Sequence, residues 1–517
     1  MTTTLSSFDP RTGQVLGEVA ASSPADVRDA VEMARKAAPE WAALSVHERA
    51  SYVKKLRHLI HDQMLPLAEL ISSECGKPKT EALAHDILPA LMTLLYQEKS
   101  AGASLSPERL SRLLGLAAGT MSTVEYRPYG VVGCISAWNY PFFLTFLGVA
   151  PALLAGNTVV VKPSEVTPGV GEAIKGLFDV FPSGVATVIQ GGAKVGAALV
   201  DAPCDKLCFI GSPATGKKIA AAAAKHLTPL VMELGGRDAA IVCGDADIDI
   251  ATSGVLWGAF MNAGQTCCAV ERVYVSESIA EGFSAALVEK LGRLRSGTTD
   301  SDIGPVTVAR QLETVERHVD DAVAKGASVL AGGPEAKRSD PEGSLWYPPT
   351  VLEGVTDQMD LSVEETFGPV LPIIVVRDED EAVRRTNEEG FNLTCSIWSR
   401  SRGRAERLAS KVRAGTVSIN AHGDAVADTW APWGGVGESG YGRLNGVAGI
   451  REFAVPVHIA RNILPGMKKL WWYPYDEATD QAALGLAGVI SAPTIKQKMQ
   501  AAGRFATNFS KAIRGKI

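Results

Sequence analysis

The 517-residue chain predicts an α/β protein built on parallel sheets, and two patterns point there. From Gly130 onward, short apolar strands (131–135, 158–161, 186–189, 206–210 and 230–232) alternate with helical segments (169–181, 194–200 and 215–226). Such alternation builds a parallel sheet with helices on its faces and places ligands at the carboxyl ends of the strands. From about Asp238 to about Trp430 a second unit follows, with strands at 239–242, 273–275 and 373–376 and helices at 279–294 and 306–324.

A helical layer precedes both. Ser23-Pro24-Ala25-Asp26 supplies an N-cap serine, a first-turn proline and an acid three residues on, and Val27, Val31, Ala34 and Ala38 continue at helical spacing. Further helices are expected at 47–62, at 66–75 (closed by Gly76) and at 80–100. Residues 121–126 alternate as a strand would. No internal repeat or low-complexity linker interrupts the chain.

Composition narrows the function. Hydrophobic content of 46%, charged content of 21% and 51 glycines describe a soluble, turn-rich protein of two or three domains. A net charge of −6 argues against nucleic-acid binding. Eight cysteines without framework spacing suggest reduced thiols in the cytoplasm. Cys204 and Cys208 have no second pair to complete a metal site, so no metal is expected. The first ten residues lack a basic region followed by an apolar run, and no stretch of about 18 apolar residues exists to span a bilayer.

Five stretches carry chemistry-bearing residues. Cys267 and Cys268 lie in N-A-G-Q-T-C-C-A-V-E-R (262–272), at a helix-to-strand junction where orphan N–H groups or cations can lower a thiol pKa. On the cysteines alone, two small core residues is the commoner reading. G-S-P-A-T-G-K-K (211–218) follows a strand and opens a helix, which offers N–H groups to a phosphate. Lys218 stands where a nucleotide-triphosphate loop needs a hydroxyl. W-N-Y-P (138–141) puts a carboxamide at a strand end, fit to donate to a developing oxyanion or simply to make a turn. K-P-S-E (162–165) offers a cation, a hydroxyl and a carboxylate suited to a nucleotide ribose, or merely solvated charge. Glu233 sits in an apolar, glycine-rich setting where burial would make it a usable base, unless backbone amides hold it.

In this order, and with F-I-G-S-x3-G (209–216), E-L-G-G (233–236), G-Q-x-C (264–267), E-E-T-F-G-P (364–369) and P-W-G-G-x-G-E-S-G-x-G-R (432–443), these blocks resemble the aldehyde dehydrogenase superfamily over residues 8–453. The resemblance implies an aldehyde dehydrogenase-like fold: a Rossmann-type cofactor domain (1–108 and 129–235), an α/β catalytic domain (236–435) and a small β oligomerisation arm (109–128 and 436–462). It implies Cys267 as nucleophile with Cys268 a bystander, Asn139 and the Cys267 N–H as oxyanion hole, and Glu233 as general base. It assigns Lys162, Ser164 and Glu165 to the adenosine ribose and Gly211 and Ser212 to the pyrophosphate. Glu365 and Phe367 fall at the nicotinamide ribose, with Trp138, Gly216 and Leu234 as further cofactor contacts. Trp430, Trp433 and His422 are expected to line the substrate site.

The implied reaction is NAD(P)-dependent oxidation of an aldehyde to an acid through a thiohemiacetal and a thioester, by a homodimer. NAD is expected over NADP, because the Glu165 charge would repel a 2′-phosphate. Three departures stand out: Gly437 and Gly148 where many members carry lysine, and Arg237-Asp238-Ala239 after E-L-G-G. Gly148 and W-N-Y-P-F-x-L-T look more like the branch with fatty-aldehyde dehydrogenases, so an apolar aldehyde of medium or long chain is expected. The alternative is a cytosolic semialdehyde dehydrogenase.

The tail, 463–517, lies beyond the resembled core. It carries an aromatic cluster (Leu470-Trp471-Trp472-Tyr473-Pro474-Tyr475), a nine-residue apolar run (482–490) and, from 491 on, six basic and no acidic residues. Ile495, Met499, Phe505, Phe509 and Ile513 are expected to share one face of an amphipathic helix, which would dock the enzyme peripherally on a membrane.

Overall fold

The computed structural model describes residues 4–110, 120–336, 343–388, 390–423, 428–514 and 516. They form two compact units, the first of Met1–Leu105 with Arg127–Val455, the second of Ser106–Tyr126 with Pro456–Ile517.

The first unit contains the two expected sheets. One has six strands in the order Gly440–Tyr441, Leu230–Leu234, Lys206–Gly211, Val131–Ile135, Thr158–Lys162, Ala186–Val188. Five of them are parallel, and Gly440–Tyr441 closes one edge antiparallel to Met232 and Glu233. The chain winds outward from Val131–Ile135 to one edge, then returns to lay Lys206–Gly211 on its other side. The strand order therefore reverses between these two central strands, and a crevice opens beyond their carboxyl ends. Both strands are almost wholly buried, as a sheet covered on two faces requires.

The second sheet runs Ser328–Ala331, Thr350–Glu353, Val370–Val376, Val270–Ser276, Asp238–Val242, Thr394–Trp398, Thr416–Ile419. It is parallel except at the Ser328–Ala331 edge. Its strand Val270–Ser276 follows the cysteine pair directly, so that pair sits at the entrance to the most buried part of this sheet.

The helical layer forms largely as its caps dictate. Ser23 and Asp26 make a reciprocal capping box for Pro24–Ala43, and Ser45 with Glu48 does the same for Val46–Asp62. Gly76 ends Met64–Cys75 in the left-handed region (φ 79°), where a Cβ would lie 2.7 Å from Pro10 and 2.8 Å from Pro305. The helix expected at 80–100 contains a π-helical turn, Ala82–Ile87, before Leu88–Ser104. Among the helices without a counterpart in the sequence reading is Phe143–Leu154, which is buried all round and has no polar face to reveal its period.

Residues 436–441 were expected in the oligomerisation arm, yet Val436–Gly437 pairs with Phe391–Asn392 and Gly440–Tyr441 with the first sheet. Gly437, at φ 67°, explains one missing lysine: its Cβ would sit 2.6 Å from the Gly390 carbonyl.

The second unit holds a three-stranded sheet, Ala454–Asn462, Thr120–Pro128 and Glu108–Leu110 in that order. Residues 111–119 of the expected arm lie outside the described residues. The unit ends in a helical hairpin, Glu477–Ser491 and Ile495–Arg514.

Candidate active site

The cysteine loop is built by backbone conformations few sequences permit. Asn262 (φ 52°), Ala263 (φ 54°) and Gly264 (φ 73°) are successively left-handed. A Cβ on Gly264 would fall 2.1 Å from the Gly368 carbonyl, so glycine is required there. Strain at two non-glycine residues persists only where the surroundings over-determine it. Here they do. The Asn262 N–H donates to Glu81 (2.9 Å), the Gln265 side chain donates to the Asn262 carbonyl (2.9 Å), and the Thr307 N–H donates to Gln265 Oε1 (2.8 Å).

W-N-Y-P is stapled to this loop residue by residue. Asn139 Nδ2 donates to the Gln265 carbonyl at 3.0 Å, and the Tyr140 hydroxyl meets Thr266 Oγ1 at 2.7 Å. Asn262 Nδ2 donates to the Asn139 carbonyl at 3.0 Å. Beneath them lies Lys77, fully buried, which donates to the same carbonyl (2.6 Å), stands 4.0 Å over the Tyr140 ring and faces Asp86 at 3.5 Å. Burial pushes the Asp86 carboxyl up to about 6 despite that ammonium. Asp86 in turn accepts from the Phe142 and Phe143 N–H groups. Sequence reasoning passed over Lys77, which reads as an ordinary surface lysine in G-K-P-K.

Lys77→Met is expected to cost about 3–5 kcal/mol, the range for removing one partner of a buried ion pair. Urea unfolding measures it. Adding Asp86→Asn should return part of the loss by removing the charge left alone. Strict additivity of the two single losses would show that the pair does not interact.

Cys267 is half-buried and Glu233 fully enclosed. The carboxylate accepts from Trp433 Nε1 at 3.1 Å and lies beside the Cys267 thiol. Burial raises the Glu233 pKa, and the Trp433 bond and the neighbouring thiol only moderate the shift. Contact with Cys268, burial and the Glu233 charge push the Cys267 thiol well above its ordinary value. The sequence suggested cations or orphan N–H groups that would lower this pKa. The structure puts a carboxylate there instead, so an incoming proton acceptor for the thiol is already in place.

Cys267 and Glu233 stand where two cavities meet. One, of about 330 Å³, is the crevice at the switch in strand order, lined by Trp138, Asn139, Gly211, Ser212, Glu365 and Phe367 among others. Ser212 caps the helix Pro213–Ala223 that opens beside it. Gly211 and Gly235 leave space no side chain could share, since a Cβ would lie 2.6 Å from the Phe209 ring and 2.2 Å from the Glu365 carboxylate. Backbone exposed at a helix N-terminus, with glycines for close approach, fits a dinucleotide. Glu365 accepts from the Gly236 N–H at 3.1 Å, and burial, with Glu271 nearby, raises its pKa well above the usual carboxylate range. Glu271 holds the adjoining loop through the Thr366 and Phe367 N–H groups.

Gly216 packs tightly on Leu234, so both act on the shape of the helix end. Lys162 donates to Glu165 (2.8 Å) and to the Gly191 carbonyl (2.8 Å), and Ser164 accepts from the Val166 N–H (3.3 Å). Burial works against the Glu165 charge, but the Lys162 ammonium keeps its pKa below the ordinary value. The crevice also draws Arg310, Gln311, Thr314 and Arg317 from the helix Ala309–Ala324. Sequence reasoning missed all four, and only their i, i+1, i+4, i+7 spacing on one helical face hinted at them.

The second cavity, about 210 Å³, is walled by Ala84, Pro89, Phe143, Leu144, Trp257, Met261 and Trp433, with Tyr140, His85 and Gly423. Its wall contains no lysine or arginine among the described residues. His85, carried on the π-helical turn, stacks edge-on against Trp257 at 5.5 Å, and burial together with Lys77 lowers its pKa. Of the three expected lining residues, Trp433 is there. His422 instead meets the Cys268 carbonyl at 2.8 Å, and Trp430 is 74% exposed against Tyr96. Gly148 lies below this wall, where a Cβ would be 2.8 Å from the Cys208 sulfur, which accounts for the second missing lysine.

Residues 1–459 match the sequence profile of the Aldehyde dehydrogenase family. The chain is 38% identical to a 4,4'-diapolycopene aldehyde oxidase of Methylomonas sp over 476 residues, which covers 92% of this chain and 88% of the relative. It is 38% identical over 459 residues to a putative succinate-semialdehyde dehydrogenase [NADP(+)] 2 of Mycobacterium tuberculosis, covering 87% of each. Among solved structures, a Mycobacterium tuberculosis aldehyde dehydrogenase complexed with NAD+ superposes with a TM-score of 0.84 at 32% identity, over 89% of this chain and 95% of that one. A Burkholderia cenocepacia structure described as a putative aldehyde dehydrogenase gives 0.84 at 33%, over 89% and 94%. The chain belongs to the aldehyde dehydrogenase family. It is an NAD(P)-dependent enzyme that oxidises aldehydes, on the α/β fold its motifs led us to expect.

Proposed function

We propose that this enzyme oxidises an apolar aldehyde of medium or long chain to the carboxylic acid. The observation that supports this is the apolar pocket ending on Cys267: a semialdehyde would bury its carboxylate against a wall with no cationic side chain, which is costly. His85 does not supply that charge, since its surroundings favour the neutral ring. The relative from Methylomonas is named for an aldehyde of diapolycopene, and the mycobacterial relatives for succinate semialdehyde. The pocket favours the former chemistry.

In this reading Cys267 gives its proton toward Glu233 and adds to the carbonyl carbon, and Asn139 with the Cys267 N–H stabilises the oxyanion. Bound NAD(P) supplies the hydride acceptor. Glu233, once it has passed that proton to solvent, takes a proton from water, whose oxygen adds to the thioester carbonyl and expels the Cys267 thiolate with release of the acid. Trp138, Gly211, Ser212, Gly216, Leu234, Glu365 and Phe367 shape the nicotinamide and pyrophosphate end of the crevice. Lys162, Ser164 and Glu165 would meet the adenosine ribose, with Glu165 favouring NAD.

The first sheet serves as the cofactor domain (1–108 and 129–235) and the second as the catalytic domain (236–435). The small sheet of the second unit serves as a homodimer arm, because its two nine-residue strands, Thr120–Pro128 and Ala454–Asn462, are left half-buried or exposed along almost their whole length and a partner copy would cover them. Peripheral contact with a membrane through the tail belongs to the same reading, since apolar aldehydes collect in bilayers.

Specificity constants for linear aldehydes should rise about three- to fourfold per added methylene until the pocket is filled, as burial of each CH₂ contributes about 0.8 kcal/mol. They should exceed that for succinate semialdehyde, and NAD should serve better than NADP. A higher constant for succinate semialdehyde than for decanal would refute the substrate class.

A further inference from the structure

The tail lies beyond the part of the chain that matches the family profile, and its hairpin is organised differently from the single amphipathic face expected. Phe505 and Phe509 are turned inward, packed on Leu470, Ala478, Ala482 and Ala512. Gly485 allows this, since a Cβ there would lie 2.4 Å from the Phe505 backbone nitrogen. Lys516, one of the six basic residues, is buried and donates to Thr479 Oγ1 at 2.7 Å and to the Pro474 carbonyl. The hairpin is therefore closed at its base and uses up the inner part of the apolar face.

Apart from Leu484, 54% exposed midway along the first helix, the apolar side chains that the two helices leave most exposed lie toward the turn. Ile490 is 59% exposed, Ile495 79% and Met499 72%. Lys496 and Lys498 are exposed between them, and Arg504, Lys511 and Arg514 stay exposed further along the second helix. The acids of the hairpin, Asp476, Glu477 and Asp480, are confined to the base, and none occurs after 480. The exposed aromatics Trp471, Trp472, Tyr473 and Tyr475 also belong to the base. A 15-residue helix separates the two ends by about 22 Å. Tip and aromatic cluster thus differ in position, and acids accompany the cations only at the base.

We propose that the hairpin tip docks on an anionic lipid bilayer, inserting Ile490, Ile495 and Met499 into the interface while Lys496 and Lys498 meet lipid phosphates. Charge complementarity selects this occupant. Each lysine near an anionic surface strengthens binding about fivefold, and apolar side chains without acids beside them suit the boundary of headgroups and acyl chains. No described helix is long and apolar enough to cross a membrane, so the contact is peripheral. This deepens the membrane contact proposed above and does not depend on which aldehyde is oxidised.

Sedimentation of the full-length enzyme with phosphatidylglycerol/phosphatidylcholine vesicles, and with phosphatidylcholine alone, tests it. We expect binding to the anionic vesicles only, released by 0.5 M salt on the order expected for screened charges. Ile495→Asp/Met499→Asp should lose binding at least about tenfold, Lys496→Glu/Lys498→Glu likewise, and Trp471→Ala/Trp472→Ala should retain it. Oxidation of butanal by every variant verifies that each is folded and separates this inference from the substrate proposal. Absence of binding, equal binding to neutral vesicles, or undiminished binding by the tip variants overturns the inference. So does a fall in the mass by light scattering of the tip variants without lipid, which would mean that a second copy of the chain covers the tip.

Discussion

Cys267→Ala is expected to lower kcat for aldehyde oxidation by about 10⁴-fold or more, the scale of removing a covalent nucleophile, while Cys268→Ala stays within about fivefold of the parent. The two sulfurs are neighbours in sequence but not in environment. Cys267 is part-exposed where both cavities meet, and its thiol lies beside the Glu233 carboxylate. Cys268 is buried at the start of the central strand, and its carbonyl is engaged by His422. It reaches the apolar pocket but not the cofactor crevice. Steady-state NADH formation, with bound cofactor checked by protein fluorescence, decides between them. An active Cys267→Ala variant and a dead Cys268→Ala variant would reverse the register of the loop.

The site was legible in the sequence wherever its residues stand at the ends of strands. Lys162 and Gly211 end their strands, Glu233 stands one residue short of an end and Asn139 four residues beyond one, and a parallel sheet brings such ends together whatever the intervening helices do. Gly264 was legible as punctuation, and its 2.1 Å approach to the Gly368 carbonyl is the physical demand behind it. What escaped were groups whose importance lies in tertiary pairing. Lys77 has no motif that says it will be buried under Tyr140, and Asp86 reads like any acid on a helix. Arg310 and Thr314 belong to a helix whose spacing marks a face without saying what that face meets. The electrostatics of Cys267 were misread for the same reason. Its strongest charged neighbour comes from another strand, 34 positions earlier in the chain, and is an anion. The tail shows the converse error: helical spacing grouped Phe505 with Met499, but a hydrophobic face does not reveal whether another helix or a lipid surface will cover it.

Glu233→Gln should release NADH in a burst near one equivalent per active site and then stall, with steady-state turnover reduced by about 10²–10⁴-fold, the range for losing a general base. Addition of the Cys267 sulfur also draws on Glu233 as the acceptor of the thiol proton, so the burst should be slower in the variant, but solvent can take that single proton and the amplitude stays near one. Only hydrolysis of the thioester needs a group that takes a proton from water. Glutamine keeps the size of Glu233 and still accepts the Trp433 N–H bond, so the pocket wall should be preserved. The pH dependence follows from the same burial. Because burial raises the Glu233 pKa, the carboxylate is the charged base only above that raised value, and turnover should fall as pH drops through it. In Glu233→Gln that acid limb should vanish from the residual rate, whereas the burst amplitude should not change. Stopped-flow absorbance across pH 5–9 measures both quantities, that window being about two units either side of neutrality. Full steady-state turnover by the variant, or an acid limb identical in both proteins, would remove Glu233 from the deacylation step and leave it a wall of the pocket.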